Sequence, residues 1–101
     1  MPENPGQPKI NITIRYSGQI RGVFGMASEQ QSVERGLPAQ EFILRRAQAA
    51  GDKAREFLNG SMEHRSAATL IFINGAQTCW NAPLPLKDGD EILLFSPLAG
   101  G

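Results

Sequence analysis

Three features of the 101-residue sequence predict an α+β fold, a mixed four- to five-stranded sheet covered on one face by a main helix and a short second helix. Ile10, Ile12 and Ile14 alternate with Asn11, Thr13 and Arg15, the period-two pattern of a half-buried strand. Ala39, Phe42, Ile43, Ala47 and Ala50 recur at helical spacing. Asn74-Gly75 follows the apolar run Thr69-Leu70-Ile71-Phe72-Ile73 directly, and that dipeptide is a strong hairpin signal because both central residues of a type I′ turn need positive φ.

The elements follow in order. Residues 1–8 hold three prolines and a glycine with few apolar side chains, a composition that buries too little surface to offset ordering entropy, so they read as a flexible arm before a domain over residues 9–95. After the first strand, Gly18, Gly22 and Gly25 read as turn residues. They match neither G-x-G-x-x-G nor G-x-x-x-x-G-K-[ST], so they do not make a phosphate loop. A weak second strand spans Glu29 to Glu34, with Val33 its strong apolar residue.

Pro38 suits the first position of the main helix, where its missing N–H costs nothing, with Gln40, Glu41, Arg45 and Gln48 pointing away from the apolar stripe. Gly51 ends that helix. Asp52 reads as the N-cap of a shorter helix through Ala54, Phe57 and Leu58, stopped by Gly60. Ser61 to Ser66 reads as a polar loop. The strand up to Ile73 is apolar on both parities, so it is covered on both faces or covered on one by a partner. Its return strand is Ala76 to Trp80. Pro83 and Pro85 break further pairing, and the Lys87-Asp88-Gly89-Asp90 turn feeds a last strand, Glu91-Ile92-Leu93-Leu94-Phe95.

Composition removes several function classes. A domain of this size has little room for an enclosed cleft, which weighs against a self-sufficient enzyme. Ten basic and ten acidic residues cancel, so no basic surface for nucleic acid is expected. The longest apolar run falls far short of the roughly 20 residues that cross a bilayer, and the N-terminus lacks a secretory pattern. A cytoplasmic protein is expected. Cys79 and His64 are the only residues of their kinds, too few for a four-ligand zinc site without carboxylates. Cys79 reads as a buried or half-buried strand thiol and His64 as a solvated loop imidazole.

Ile73-Asn74-Gly75, then Pro85-Leu86-Lys87-Asp88-Gly89-Asp90-Glu91-Ile92, then Phe95-Ser96-Pro97-Leu98-Ala99-Gly100-Gly101 resemble the MoaD/ThiS family of sulfur carriers. Neither a terminal Gly-Gly nor an Asp-Gly-Asp turn is specific alone; their combination at this spacing, with the sequence stopping at the second glycine, is. Motif similarity covers about residues 70 to 101, while the first strand and the helix agree only as patterns. Three departures stand out. Ser96 occupies a position where a second proline is common, the helical region between Gly51 and Ala68 is longer, and the N-terminal arm is extra.

The resemblance implies a ubiquitin-like β-grasp fold and a protein that acts as a co-substrate, the small non-catalytic member of a synthase. In such proteins a ubiquitin-activating-type enzyme, MoeB/ThiF-like, uses ATP to adenylate the terminal carboxylate, here that of Gly101. Sulfur then displaces the adenylate to leave a thiocarboxylate. No stably bound cofactor or metal is implied. The best-matching destination is a MoaE-like large subunit in molybdopterin biosynthesis. Thiamine, cysteine or homocysteine synthesis, tRNA thiolation, and a ubiquitin-like modifier conjugated through Gly101 use the same end.

The chemistry accounts for the tail's residue types. Gly100 and Gly101 lack Cβ, so an extended tail fits a narrow channel and its backbone approaches nucleotide phosphates. Pro97 removes a backbone donor and releases the tail from the sheet, while Leu98 and Ala99 are shallow anchors. The first strand is apolar on one face only. The opposite sheet face is therefore expected to be partly polar and open, with Leu93, Phe95 and one parity of Leu70 to Ile73 forming a docking patch.

Overall fold

A computed structural model of the chain describes residues 9–63 and 69–96, with side chains at 9–58 and 69–96. The N-terminal arm, His64 and the tail residues Pro97, Leu98, Ala99, Gly100 and Gly101 lie outside the described residues. Strand β1, Lys9–Gly18, carries the expected alternation, with Ile10, Ile12, Ile14 and also Tyr16 buried. Helix α1, Gln19–Phe24, follows it. Strand β2, Ser28–Glu34, returns antiparallel to β1 with Val33 opposite Ile10.

Helix α1 corrects the reading of three turn glycines. Gly18 and Gly25 do flank the helix, but Gly22 lies within it, and Ile20 and Phe24, four residues apart, fix its inner face. That i, i+4 pair is the helical signal that the glycines masked.

Helix α2, Ala39–Ala50, starts one residue after Pro38, which occupies the N-cap with φ −62° and ψ 139°. Ala39, Phe42, Ile43 and Ala47 are buried as the stripe requires, whereas Ala50 is exposed. Gln40 departs from expectation: it is buried. Gly51 caps α2 by donating its N–H to the Ala47 carbonyl at 3.2 Å. Helix α3, Asp52–Glu63, equals α2 in length at 12 residues; it is not short, and it passes through Gly60 instead of stopping there. Asp52 is its first residue, with its carboxylate accepting from Arg55 at 2.6 Å. Ala54 and Leu58 carry its buried face, and a single glycine costs a helix interior only about 1 kcal/mol, which does not suffice to stop it.

Strands β3, Leu70–Ile73, and β4, Ala76–Thr78, form the expected hairpin. Asn74 and Gly75 have φ 51° and 87°, the positive pair of a type I′ turn. Strand β4 is shorter than expected, leaving Cys79 outside it and exposed, contrary to the strand-thiol reading. Strand β5, Glu91–Ser96, pairs parallel with β1 and antiparallel with β3. The sheet order is β2-β1-β5-β3-β4, so the mixed sheet has five strands and the strand last in sequence lies at the centre. The core lies between the sheet and the helices, with Ile12, Ile14, Ile71, Ile92 and Leu94 facing Phe42, Ile43 and Leu58.

Candidate functional site

The central position of β5 sets the geometry of the candidate site. Ile92, Leu94 and Ser96 face the core, while Glu91, Leu93 and Phe95 face away from it. Cross-strand register places Leu70 beside Phe95 and Phe72 beside Leu93. These four side chains are half-buried and form one contiguous apolar patch on the face without helices. On the other side of β5, Arg15 pairs in register with Leu93 and Ser17 with Phe95. Beyond them β2 presents Ser28, Gln30 and Ser32. The open face is thus apolar over β3 and β5 and polar over β1 and β2, and a broad depression above β1 is lined by Thr13, Arg15, Ser17, Gln30 and Leu93. An ion pair of 2.6 Å joins Arg15 to Glu91 at its edge; both ends are exposed, so it contributes little to stability.

The Asn-Gly and Asp-Gly-Asp motifs meet at the end of β5 opposite the tail. The Asn74 side chain donates to Asp90 Oδ1 at 2.9 Å and accepts the Glu91 N–H at 2.9 Å. Asp90 Oδ2 accepts the Lys87 N–H at 2.8 Å, and Asp88 accepts the Asn11 N–H at 2.8 Å. Together these bonds tie the hairpin, the turn and the start of β1 into one unit. Their work is to set β5 in register; none of these groups lies near the C-terminal end of the strand.

The tail-proximal end is built differently. Gly18 and Ser96 are the last paired residues of β1 and β5. Gly18 has φ 79° and ψ −147°, a region essentially restricted to glycine. Ser96 is fully buried, and its Oγ has no hydrogen-bond partner among the described residues. Sequence reasoning missed both residues, reading Gly18 as a turn and Ser96 only as a departure from a familiar motif. Their pairing across the sheet has no local signature.

One polar network supports the sheet from the helix side. Tyr16 donates its hydroxyl to Glu29 at 2.6 Å, Gln31 donates to Glu29 at 2.9 Å, and Arg46 of α2 donates from Nε at 3.1 Å and from a terminal nitrogen at 2.8 Å. Burial alone would raise the Glu29 carboxyl, but donation by Tyr16, Gln31 and Arg46 outweighs it and holds the group below the usual range. Burial, followed by the hydrogen bond to Glu29, pushes the Tyr16 hydroxyl up. Tyr16 also stacks on Phe24 of α1, with ring centroids 4.3 Å apart.

Among the described residues no group of His, Cys, Asp and Glu is arranged to hold a metal ion, and no helix is long and apolar enough to cross a membrane.

No protein-family profile matches the sequence, and no curated protein matches it. Solved structures do. A molybdopterin converting factor subunit 1 of Pyrococcus furiosus superposes with a TM-score of 0.66 at 22% identity, covering 87% of this chain and 98% of that one. SAMP1 of Haloferax volcanii gives 0.66 at 18%, covering 90% and 99%. The small archaeal modifier protein 1 of Methanosarcina acetivorans gives 0.58 at 19%, covering 93% and 99%. The fold is therefore the ubiquitin-like β-grasp of MoaD-like and small-modifier proteins, as the C-terminal motifs implied.

Proposed function

We propose that this chain is a sulfur carrier whose Gly101 carboxylate is activated by a ubiquitin-activating-type enzyme and converted to a thiocarboxylate, with molybdopterin synthesis as its leading destination. The observation that carries the reading is the open sheet face. Leu70, Phe72, Leu93 and Phe95 make an apolar patch that ends two residues before Pro97-Leu98-Ala99-Gly100-Gly101. A patch of this kind supplies the apolar centre of an interface, and the polar side chains of β1 and β2 supply its rim.

The chemistry follows from the tail. A carboxylate oxygen of Gly101 attacks the α-phosphate of ATP and pyrophosphate leaves. A sulfide-level donor then attacks the acyl carbon and AMP leaves, giving the thiocarboxylate. Nucleotide and catalytic groups belong to the partner; this chain contributes a docking face and an acyl end free of side chains. Delivery to a MoaE-like subunit uses the same patch and tail.

A second reading, conjugation of Gly101 to lysine amines, is favoured by the superposition on proteins described as small archaeal modifiers. Both readings require activation. ATP–pyrophosphate exchange by the organism's adenylating enzyme is expected to depend on the chain and to vanish on deletion of Gly101; exchange that survives the deletion overturns both. Isopeptide-linked Gly-Gly remnants on cellular proteins, with no thiocarboxylate formed, would select the modifier.

A further inference from the structure

We propose that the outer edge of β2 is a self-association surface, on which a second copy of this chain adds its own β2 antiparallel and joins the two sheets edge to edge. The inference stands on the fold alone and does not depend on the carrier reading. Strand β2 lies at one end of the sheet order and β4 at the other. A sheet edge presents a row of unpaired N–H and C=O groups, and natural edges are blunted by shortness, proline, bulges or charged side chains. Strand β4 is protected by its length of three residues. Strand β2 runs for seven, holds neither proline nor lysine, and keeps an unbroken register against β1. Its acidic residues do not guard the edge, because Glu29 is paired with Arg46 and Glu34 with Arg45.

Backbone bonds fix which peptides of β2 point outward. Tyr16 donates its N–H to the Ala27 carbonyl at 2.8 Å, toward β2, whereas Thr13 donates to the Asp90 carbonyl at 3.1 Å, toward β5. Bonded pairs recur at every second residue of an antiparallel ladder, so β1 holds β2 through Ile14 with Glu29, Ile12 with Gln31 and Ile10 with Val33. Ser28, Gln30 and Ser32 therefore turn their N–H and C=O groups away from β1, and among the described residues no strand lies beyond them. Their side chains are exposed and uncharged.

A second copy is the occupant because the edge is complementary to itself. With a two-fold axis through Gln30, Ser28 bonds to Ser32 of the second copy, Gln30 to Gln30, and Ser32 to Ser28. On the helix side the same register sets Glu29 against Gln31 of the second copy, a carboxylate beside an amide donor, and Val33 against Ala27. No like charges meet. Shifting the axis to Gln31 would instead set the Glu29 carboxylate against Val33, so the first register is the one that fits. A net charge of zero leaves no overall repulsion between copies. Two-fold pairing occupies both β2 edges, and β4 is too short to extend the array, so assembly closes at a dimer. The apolar patches on β3 and β5 lie away from the junction and stay open.

The test is sedimentation equilibrium of the full chain, where a reversible monomer–dimer equilibrium is expected between about 10 μM and about 1 mM. Gln30→Lys sets two cations opposite each other across the axis and is expected to weaken the dimer at least about tenfold, while Gln77→Lys on β4, with the same change of charge, is expected to leave it unchanged. Hydrogen exchange reads the edge itself. The amides of Ser28, Gln30 and Ser32 are expected to slow as concentration rises, and those of Glu29, Gln31 and Val33 to stay protected throughout. Should Gln30→Lys not fold, this alternation in the wild-type chain decides. A chain that remains monomeric at about 1 mM overturns the proposal. So does a dimer that Gln30→Lys leaves intact, which would join through another surface such as the apolar patch. Protection of the three outward amides at every concentration would put another segment of the same chain on the edge and equally overturns it.

Discussion

Ser96 and Glu29 show how single polar groups are handled in opposite ways. Ser96 Oγ is buried without a partner among the described residues, so its desolvation is not offset by a bond to any of them. Ser96→Ala removes only that atom and is expected to raise stability by about 1 kcal/mol, read as a higher urea midpoint at an unchanged slope. Glu29 is the reverse case, half-buried but accepting from three side chains. Its folded pKa lies below its ordinary value of 4.5. The stabilisation it contributes is therefore fully present above that value and is lost as pH falls through the lowered folded value. Acid titration of the unfolding free energy is expected to show this loss, and Tyr16→Phe, which removes one donor, is expected to shrink it. Arg46→Met leaves Glu29 partly buried with its cation gone and is expected to cost about 2 kcal/mol at neutral pH. An Arg46→Met chain as stable as wild type would show that Tyr16 and Gln31 alone satisfy the carboxylate.

Among the elements, the long crossing segment between β4 and β5 is tied to α2 through the Gln40 side chain. Gln40 of α2 donates to the carbonyls of Cys79 at 2.7 Å and Ala82 at 3.0 Å, and accepts the Leu84 N–H at 3.3 Å. Backbone bonds Ala39 N–H to Leu84 O and Leu86 N–H to Leu37 O continue the seam. Gln40→Ala leaves those groups without their partner and is expected to destabilise by roughly 1–3 kcal/mol, with the Leu84 amide exchanging faster in hydrogen exchange while amides of β1 keep their protection relative to global unfolding. Helical phase gave no hint of this, because Gln40 sits beside the buried stripe and its partners are 39 and 42 residues away. By contrast β1, the Asn74-Gly75 hairpin, α2 and β5 were legible, since alternation, helical spacing and positive-φ turn chemistry are local properties. Helix α1 was obscured by Gly22. The full length of α3 was obscured by Gly60. A single glycine is only a weak local penalty inside a helix, and in α1 the buried pair Ile20 and Phe24, four residues apart, overrides it.

On the scale of the whole molecule, the sequence revealed what kind of face β5 would present but not how its end pairs with β1. Two apolar parities in β3 and β5 against one in β1 require a sheet covered on one side and open on the other, and Leu70, Phe72, Leu93 and Phe95 lie on that open side. The contact of Gly18 with Ser96 depends on parallel pairing between strands at opposite ends of the chain, which no local pattern encodes. Phe95→Glu is expected to leave folding intact, because the side chain is only half-buried, and to weaken binding to the adenylating enzyme by at least about tenfold, as burying an unpaired charge at an apolar interface centre does. Titration calorimetry with the wild-type and variant chains reads that difference.

Intact-mass measurement after incubation with ATP, the adenylating enzyme and a sulfur donor tests the central claim most directly. The expected result is the mass change of one terminal oxygen replaced by sulfur, abolished by deletion of Gly101. An unchanged terminus, under conditions where the same enzyme and donor thiolate another carrier, would contradict it.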